Sequence, residues 1–305
     1  MEIKFIAPDI EMKTKFDKFL SSKNSQDELS AFGTHFIWSE RYGTKIHMDE
    51  NFALIKTDKN DLNYYFPIGK LNDEELKKAI NYLMEDCKNS GGKEFKISRL
   101  NKQDAESLER IMPGEFEINE NRDRFEYIYN SEDLANLKGK KYHGKRNHIS
   151  KFKNLYDWTY EKIVPEKKEI YLKFFEKWFE KNSEKEGKDS IEEFKAIKKS
   201  FENYEKLEFE GGIILVDGEI TACTIGEKIN GENFVVHFEK AFTEFEGAYT
   251  IINQEFSKTL EERFKFINRE EDLGIEGLRK AKLSYKPFLL LEKYDAVGKT
   301  GKLDY

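Results

Sequence analysis

Apolar residues recur along the chain with two periods, and the period says which element each stretch forms. Met12, Phe16, Phe19 and Leu20 keep helical spacing between Asp9 and Leu20, with Asp9 as N-cap. Residues 32–38 (Phe32, Phe36, Trp38), 45–56 (Ile46, Met48, Phe52, Leu54, Ile55) and 64–68 read as strands. Leu76, Ile80, Leu83 and Cys87 form one stripe of a helix from Asp73 to Cys87, stopped by Gly91-Gly92. A strand at 95–98, a short helix at 102–111 and a strand at 125–129 follow. In the second half, Ile170, Phe174, Trp178 and Phe179 give a helix over 166–180. Ile191, Phe194, Ile197 and Phe201 give another over 190–204. The polar link 182–189 is expected to be a mobile loop.

Residues 211–241 are the most legible. Strands at 212–216, 220–229 and 234–241 are separated by Asp217-Gly218 and Asn230-Gly231, dipeptides that favour tight turns between antiparallel strands. A helix with the stripe Tyr249, Ile252, Phe256 and Leu260 comes next, then strands at 264–267 and 288–291. A meander feeding a helix that starts near a strand end is the plan of the GNAT acyltransferase core. The first half follows a looser version of that order. The expectation is an α+β protein of two tandem GNAT-like domains, 1–135 and 136–305, each a mixed, mostly antiparallel sheet flanked by helices, with the site in the second.

Composition narrows the setting. The chain has 305 residues, 36% charged and 14% aromatic, with only five prolines. So many aromatic residues argue for packed cores. No apolar run approaches the roughly 18 residues needed to span a bilayer, and the first ten residues lack a signal-peptide core, so a cytoplasmic protein is expected. Cys87 and Cys223 are too few for a disulfide framework and read as reduced core residues.

Against a formal net charge of -7, residues 138–153 stand out: Lys138, Lys140, Lys141, Lys145, Arg146, Lys151 and Lys153 without one acid. A local cationic patch attracts an anionic partner whatever the bulk charge. Tyr142, His143, Asn147 and His148 are interleaved with it. The plainer reading is a solvated basic face.

This basic run, together with Gly247-Ala248-Tyr249, Ile252-Asn253-Gln254-Glu255-Phe256, residues 267–274 and Gly277 to Pro287, resembles the family of the C-terminal catalytic domain of lysyl-phosphatidylglycerol synthases and its stand-alone bacterial relatives. The resemblance implies a tandem GNAT fold, related to enzymes that add amino acids to peptidoglycan precursors. For the synthases it implies aminoacyl transfer from charged tRNA to a lipid headgroup. The synthases carry a large transmembrane region before this domain, and this chain shows none, so donor and acceptor stay open.

Each candidate residue has a functional and a plainer reading. Gly247 and Ala248 open a helix whose free N–H groups suit a phosphate; plain capping is the alternative, and Glu244 and Glu246 nearby would repel an anion. Strand alternation puts His237 and Glu239 on one face, where either could take a proton from an attacking amine or hydroxyl; a strand histidine is more often a structural hydrogen-bonding group. In 268–272, Glu270, Glu271 or Asp272 could recognise a cationic amine beside Asn268 and Arg269, or form a solvated loop paired with Arg279. Arg279, Lys280, Lys282 and Lys286 could join Lys141, His143, Lys145, Arg146 and Asn147 in one cationic cleft for a phosphodiester. Tyr285 is a candidate proton donor to a leaving group, or a packing residue. No metal site, nucleophilic-serine elbow or nucleotide-binding loop is expected.

The reading is a transferase that moves an acyl or aminoacyl group directly to an amine or hydroxyl. The donor, an anionic partner, would be the 3′ end of aminoacyl-tRNA or acyl-coenzyme A, with no tightly bound cofactor. The competing reading is a non-catalytic module that binds a phosphorylated or anionic ligand.

Overall fold

A computed structural model describes residues 3–20, 25–186 and 189–299. Along the chain the elements are α1 (Lys13–Leu20), α2 (Phe32–Ile37), α3 (Ser39–Tyr42), β1 (Thr44–Met48), β2 (Phe52–Thr57), β3 (Asn63–Tyr64), β4 (Ile68–Gly69), α4 (Asp73–Asn89), β5 (Lys96–Leu100), α5 (Lys102–Ile111) and β6 (Phe116–Glu120). Then come β7 (Glu126–Asn130), α6 (Ser131–Asn136), α7 (His143–Leu155), β8 (Trp158–Lys162), α8 (Lys168–Glu186), α9 (Asp189–Glu202), β9 (Glu210–Val216), β10 (Glu219–Lys228) and β11 (Asn233–Ala241). Last are α10 (Ala248–Leu260), β12 (Phe266–Asn268), α11 (Glu276–Leu283), β13 (Leu289–Leu291) and β14 (Tyr294–Gly298).

The described residues fall into two compact units. One comprises those of Met1–Glu126, Glu271–Glu276 and Leu290–Tyr305; the other is Tyr127–Glu270 with Gly277–Leu289. The first unit's sheet has the order β1-β2-β3-β5-β14-β6, with β4 paired to β2. Its core joins the inner stripe of α4 (Leu76, Ile80, Leu83, Cys87) to Leu54, Tyr64, Phe95 and Ile97. Asn72 caps α4 in a full capping box with Glu75. Buried charge also lies here. Lys293, fully buried, meets Asp27 at 2.6 Å and Glu126 at 2.5 Å. Arg99 holds Glu28 and, at 3.1 Å, Glu271, which Arg124 also contacts.

The second sheet runs β13-β7-β12-β11-β10-β9-β8. The β9-β10-β11 meander is antiparallel, whereas β11 and β12 are parallel, so the sheet is mixed. Helices α10 and α7 pack together, α10 also lies on β9, β10 and β11, and α8 packs on β10 and β11.

The structure corrects several expectations. Residues 32–37 are a helix, not a strand; all six are buried, so no polar face marked the helical period in the sequence. The stretch 45–56 is two strands with a turn between, and 64–68 divides into β3 and β4. Ile170 and Ile191 lie on solvent faces, and α8 buries Tyr171, Phe174, Phe175 and Trp178 instead. The expected loop at 182–189 is helical through Glu186 and again from Asp189; residues 187–188 lie outside the described residues. The strands β6, β8 and β14 and the helices α3, α6, α7 and α11 went unread.

Candidate active site

Strand β11 positions the site, and its register decides which side chains meet. Ile225 pairs with Phe238 and Gly226 with Val236, so His237 has no opposite residue. This is a β-bulge, and an extra residue inverts the alternation beyond it. Phe234 packs on Phe256 of α10, with ring centroids 5.7 Å apart. Five residues on, Glu239 also meets α10, accepting a hydrogen bond from Asn253 at 3.3 Å. Lys240 points the other way, to Glu193 of α9 and the ring of Trp178 in α8. The bulge therefore separates His237 from Glu239, and the shared face expected from strict alternation does not hold.

On the α10 face, Glu239 accepts a hydrogen bond from Arg269 at 2.7 Å, and both side chains are mostly buried. The Arg269 guanidinium lies 5.0 Å from the centre of the Tyr285 ring and 5.8 Å from that of Tyr129. The Lys145 ammonium, from α7, sits 3.7 Å from the Tyr285 ring centre. Lys145 makes no ion pair among the described residues. Partial burial and the Arg269 charge lower its pKa to about 8. Burial pushes the Tyr285 phenol up to about 12.

Three polar atoms of this cluster have no hydrogen-bond partner: Asn253 Oδ1, Thr224 Oγ1 and Arg269 Nη1. Thr224 is the register partner of Glu239, and Asn253 is its hydrogen-bond donor, so all three atoms belong to residues that adjoin Glu239. An unmet buried polar atom costs about 1–3 kcal/mol. Three in one place, two of them on neutral side chains beside a buried ion pair, call for an explanation. β12 pairs with β11 only from Asn233 to Val235, and β11 runs on to Ala241 without it.

On the opposite face, His237 is fully engaged. Its Nδ1 meets Glu270 at 2.8 Å and its Nε2 meets Glu227 at 2.9 Å. Burial alone would lower its pKa, but the two carboxylates outweigh burial and raise it to about 10. The ring is an imidazolium donating from both nitrogens, with no lone pair to accept a proton.

The remaining candidates occupy varied places. Arg146 donates to the carbonyls of Leu137 and Gly139 and fastens the turn before α7. Lys141 pairs with Asp133, and exposed His143 and Asn147 hydrogen-bond each other. Gly247 has φ +95°, and a Cβ there would lie 2.7 Å from the His148 carbonyl; the glycine lets α10 start against α7. Ala248 is buried, and its N–H donates to the Phe245 carbonyl. Asn268 accepts the Glu270 N–H. Lys282 is buried and donates to the carbonyls of Arg269 and Glu270. Arg279 is half-buried on α11. Asp272 belongs to the first unit, where it pairs with Arg122 and accepts the Gly274 N–H.

The basic run and the 277–286 segment do meet, at Tyr285: Tyr142 donates to its carbonyl while Lys145 covers its ring. Asn253 and Thr224 were missed. Asn253 lay in the segment that carries the family resemblance and is a polar residue within the apolar stripe of α10, yet it was not taken as a site residue; Thr224, in a half-polar strand, had no signal.

Residues 18–297 match the family model described as phosphatidylglycerol lysyltransferase, C-terminal. Among solved structures, a conserved protein of unknown function from Bacteroides thetaiotaomicron VPI-5482 is 37% identical, with a TM-score of 0.92, covering 98% of this chain and 100% of that one. L-PGS from Bacillus licheniformis is 15% identical, TM-score 0.63, over 94% of this chain and 92% of that one. A tandem GNAT protein from the clavulanic acid biosynthesis pathway is 9% identical, TM-score 0.53, over 98% and 99%. The fold is α+β and GNAT-like, with two mixed sheets flanked by helices. No curated protein matches the chain. No helix among the described residues is long and apolar enough to cross a membrane.

Proposed function

The chain belongs to the phosphatidylglycerol lysyltransferase C-terminal family, and from that premise we propose that it is an acyltransferase whose donor is an aminoacyl ester, transferred directly to an amine or hydroxyl acceptor. The observation that supports an aminoacyl group over a plain acyl group is the set of unmet polar atoms around Glu239. A plain acyl group carries no charge and would leave Asn253 Oδ1 unmet. An aminoacyl group brings an ammonium, for which Glu239 and Asn253 Oδ1 are acceptors. It also brings a carbonyl oxygen, for which Arg269 Nη1 is a donor.

In this reading the acceptor's lone pair attacks the donor carbonyl carbon, and the C=O electron pair moves onto oxygen. The Arg269 cation stabilises that oxyanion in a site with little water. The oxyanion collapses, the new bond to nitrogen or oxygen remains, and the donor's ribose oxygen leaves. Lys145, whose pKa near 8 leaves part of it as the neutral amine near neutral pH, takes in that form the proton the acceptor gives up. Tyr285, a phenol with a raised pKa, stays protonated at neutral pH and can donate to the leaving oxygen. His237 moves no proton and holds β11 in its bulged register.

The test incubates the full chain with aminoacyl-tRNA, and separately with acetyl-coenzyme A, each with a small amine acceptor, and follows donor loss. Aminoacyl-tRNA should be consumed and acetyl-coenzyme A spared. Glu239→Gln should lower kcat/KM by roughly 100-fold. Consumption of acetyl-coenzyme A alone would refute the aminoacyl assignment. If charged tRNA raises the melting temperature but is never consumed, the protein binds without transferring.

A further inference from the structure

We propose that the buried His237–Glu270 pair is a positioning device for Arg269, the cation that the transfer reading sets on the oxyanion; the inference rests on that reading. The backbone ladder between β11 and β12 ends at Val235 and Asn268. The next two residues stay beside β11 through their side chains. Arg269 reaches Glu239 at 2.7 Å on one face of the sheet, and Glu270 reaches His237 at 2.8 Å on the other. Consecutive residues therefore straddle β11, and a grip on one constrains its neighbour.

The His237 side supplies that grip. The ring has no exposed surface, and Glu227 of β10, itself 3% exposed, accepts from its second nitrogen at 2.9 Å. Two carboxylates require two N–H donors, which only the imidazolium supplies. Glu227 stands opposite Val235 in the register of β10 with β11, so the ring is moored to an interior strand rather than to a loop. From there the contacts run through His237 to Glu270 and so to the peptide that joins Glu270 to Arg269.

Glu270 needs the hold. Its φ is +56°, in the left-handed region that a residue with a Cβ enters only when its surroundings impose it. Asn268 Oδ1 accepts its N–H at 2.7 Å, and its carbonyl accepts from the Tyr127 N–H at 3.2 Å. Without an anchor on its carboxylate, the strained residue can relax toward negative φ. That turn of the peptide carries the guanidinium off the place where its unmet Nη1 meets the donor oxygen. A displacement of about 1 Å can cost roughly 100-fold in rate. His237 and Glu270 touch no reacting atom in this scheme, and their effect is felt through Arg269.

The experiment measures kcat and KM for aminoacyl-tRNA with the full chain. It also follows the side-chain N–H resonances of isotopically labelled arginine, that of Arg269 being assigned by its loss in Arg269→Lys. Glu270→Ala should lower kcat by roughly 30-fold or more and leave KM within about threefold, with the Arg269 resonance shifted or broadened. Glu270→Asp keeps the charge, draws the carboxylate back by one methylene and is gentler on folding; it should lower kcat by about 10-fold. Glu270→Gln, whose amide oxygen still accepts from Nδ1, should recover kcat to within about fivefold of native. In an Arg269→Met background, Glu270→Ala should cost nothing further. Unchanged kcat and resonance in both Glu270→Ala and Glu270→Asp, a loss confined to KM or to the melting temperature, or additive losses in the double variant would overturn the positioning role and leave the transfer reading standing. Native-like transfer by Arg269→Met would instead refute the placement of Arg269 on the oxyanion, and the positioning role with it.

Discussion

Lys293 in the first unit and Arg269 in the second are both buried cations held by carboxylates, yet their surroundings differ. Lys293 lies between Asp27 and Glu126, and in the same unit Arg99 and Arg124 are each held by carboxylates. Arg269 meets Glu239 with one nitrogen and leaves the other without a hydrogen bond, next to an equally unmet Asn253 oxygen. The first arrangement spends its electrostatic energy on keeping a fold. The second keeps some back, as a site must if a guest is to gain by entering. Unmet buried atoms occur in both arrangements, Lys293 Nζ and Arg99 Nε among them, but in the first unit those atoms belong to ion-paired groups, whereas at Arg269 they include the neutral Asn253 Oδ1 and Thr224 Oγ1.

The largest expected effect tests that distinction. Lys293→Met strips the cation from the buried Asp27 carboxylate and the buried Glu126 carboxyl and should cost about 3–5 kcal/mol, read from denaturant melts. Arg269→Met should cost less stability and abolish most transfer. Equal stability losses with transfer intact would erase the contrast.

A middle-sized effect lies in pH. Burial pushes Glu126 up to about 8, above its ordinary 4.5. Its contribution is fully present below about 4.5 and is lost as pH rises through about 8. His237 is opposed by burial but raised from 6.5 to about 10 by Glu227 and Glu270, so its contribution holds below 6.5 and fades as pH climbs through about 10. Melts across pH should show stability declining in two stages. Glu126→Gln should remove the earlier stage and His237→Gln the later; a flat profile for the native protein would contradict both.

The smallest effect is a control. Lys138 and Glu132 pair at 3.1 Å with both side chains 72% exposed. Lys138→Ala should change stability by less than about 0.5 kcal/mol. A larger loss would mean the basic run stabilises the fold through more than its exposed charge.

What could be read beforehand followed from local rules. Asp217 and Gly218 both adopt positive φ, as the hairpin signal demanded, and the meander stands where it was expected. Asn230-Gly231 did close a hairpin, but through a longer loop in which the Asn230 side chain accepts the Glu232 and Asn233 N–H groups. Glu239 and Arg269 were named as candidates, but their pairing depends on a bulge that no residue type announces, and alternation past it was necessarily misjudged. The helix at 32–37 failed for a related reason: buried on every side, it offers no period. Lys293 was invisible, since a lysine beside a glutamate near a strand reads as surface.

Strand β14 carries a consequence for biosynthesis. It lies between β5 and β6 in the first unit's sheet, although some 170 residues separate it from β6. While the ribosome is making the second unit, the first has an open slot and exposed strand edges, with Asp27 and Glu126 still awaiting Lys293. A nascent chain in that condition carries unpaired strand edges that are open to mispairing until β14 arrives. The earlier half of the protein is therefore finished last, and a premature stop before residue 294 would leave the first unit without a central strand even though every residue of the meander had been made.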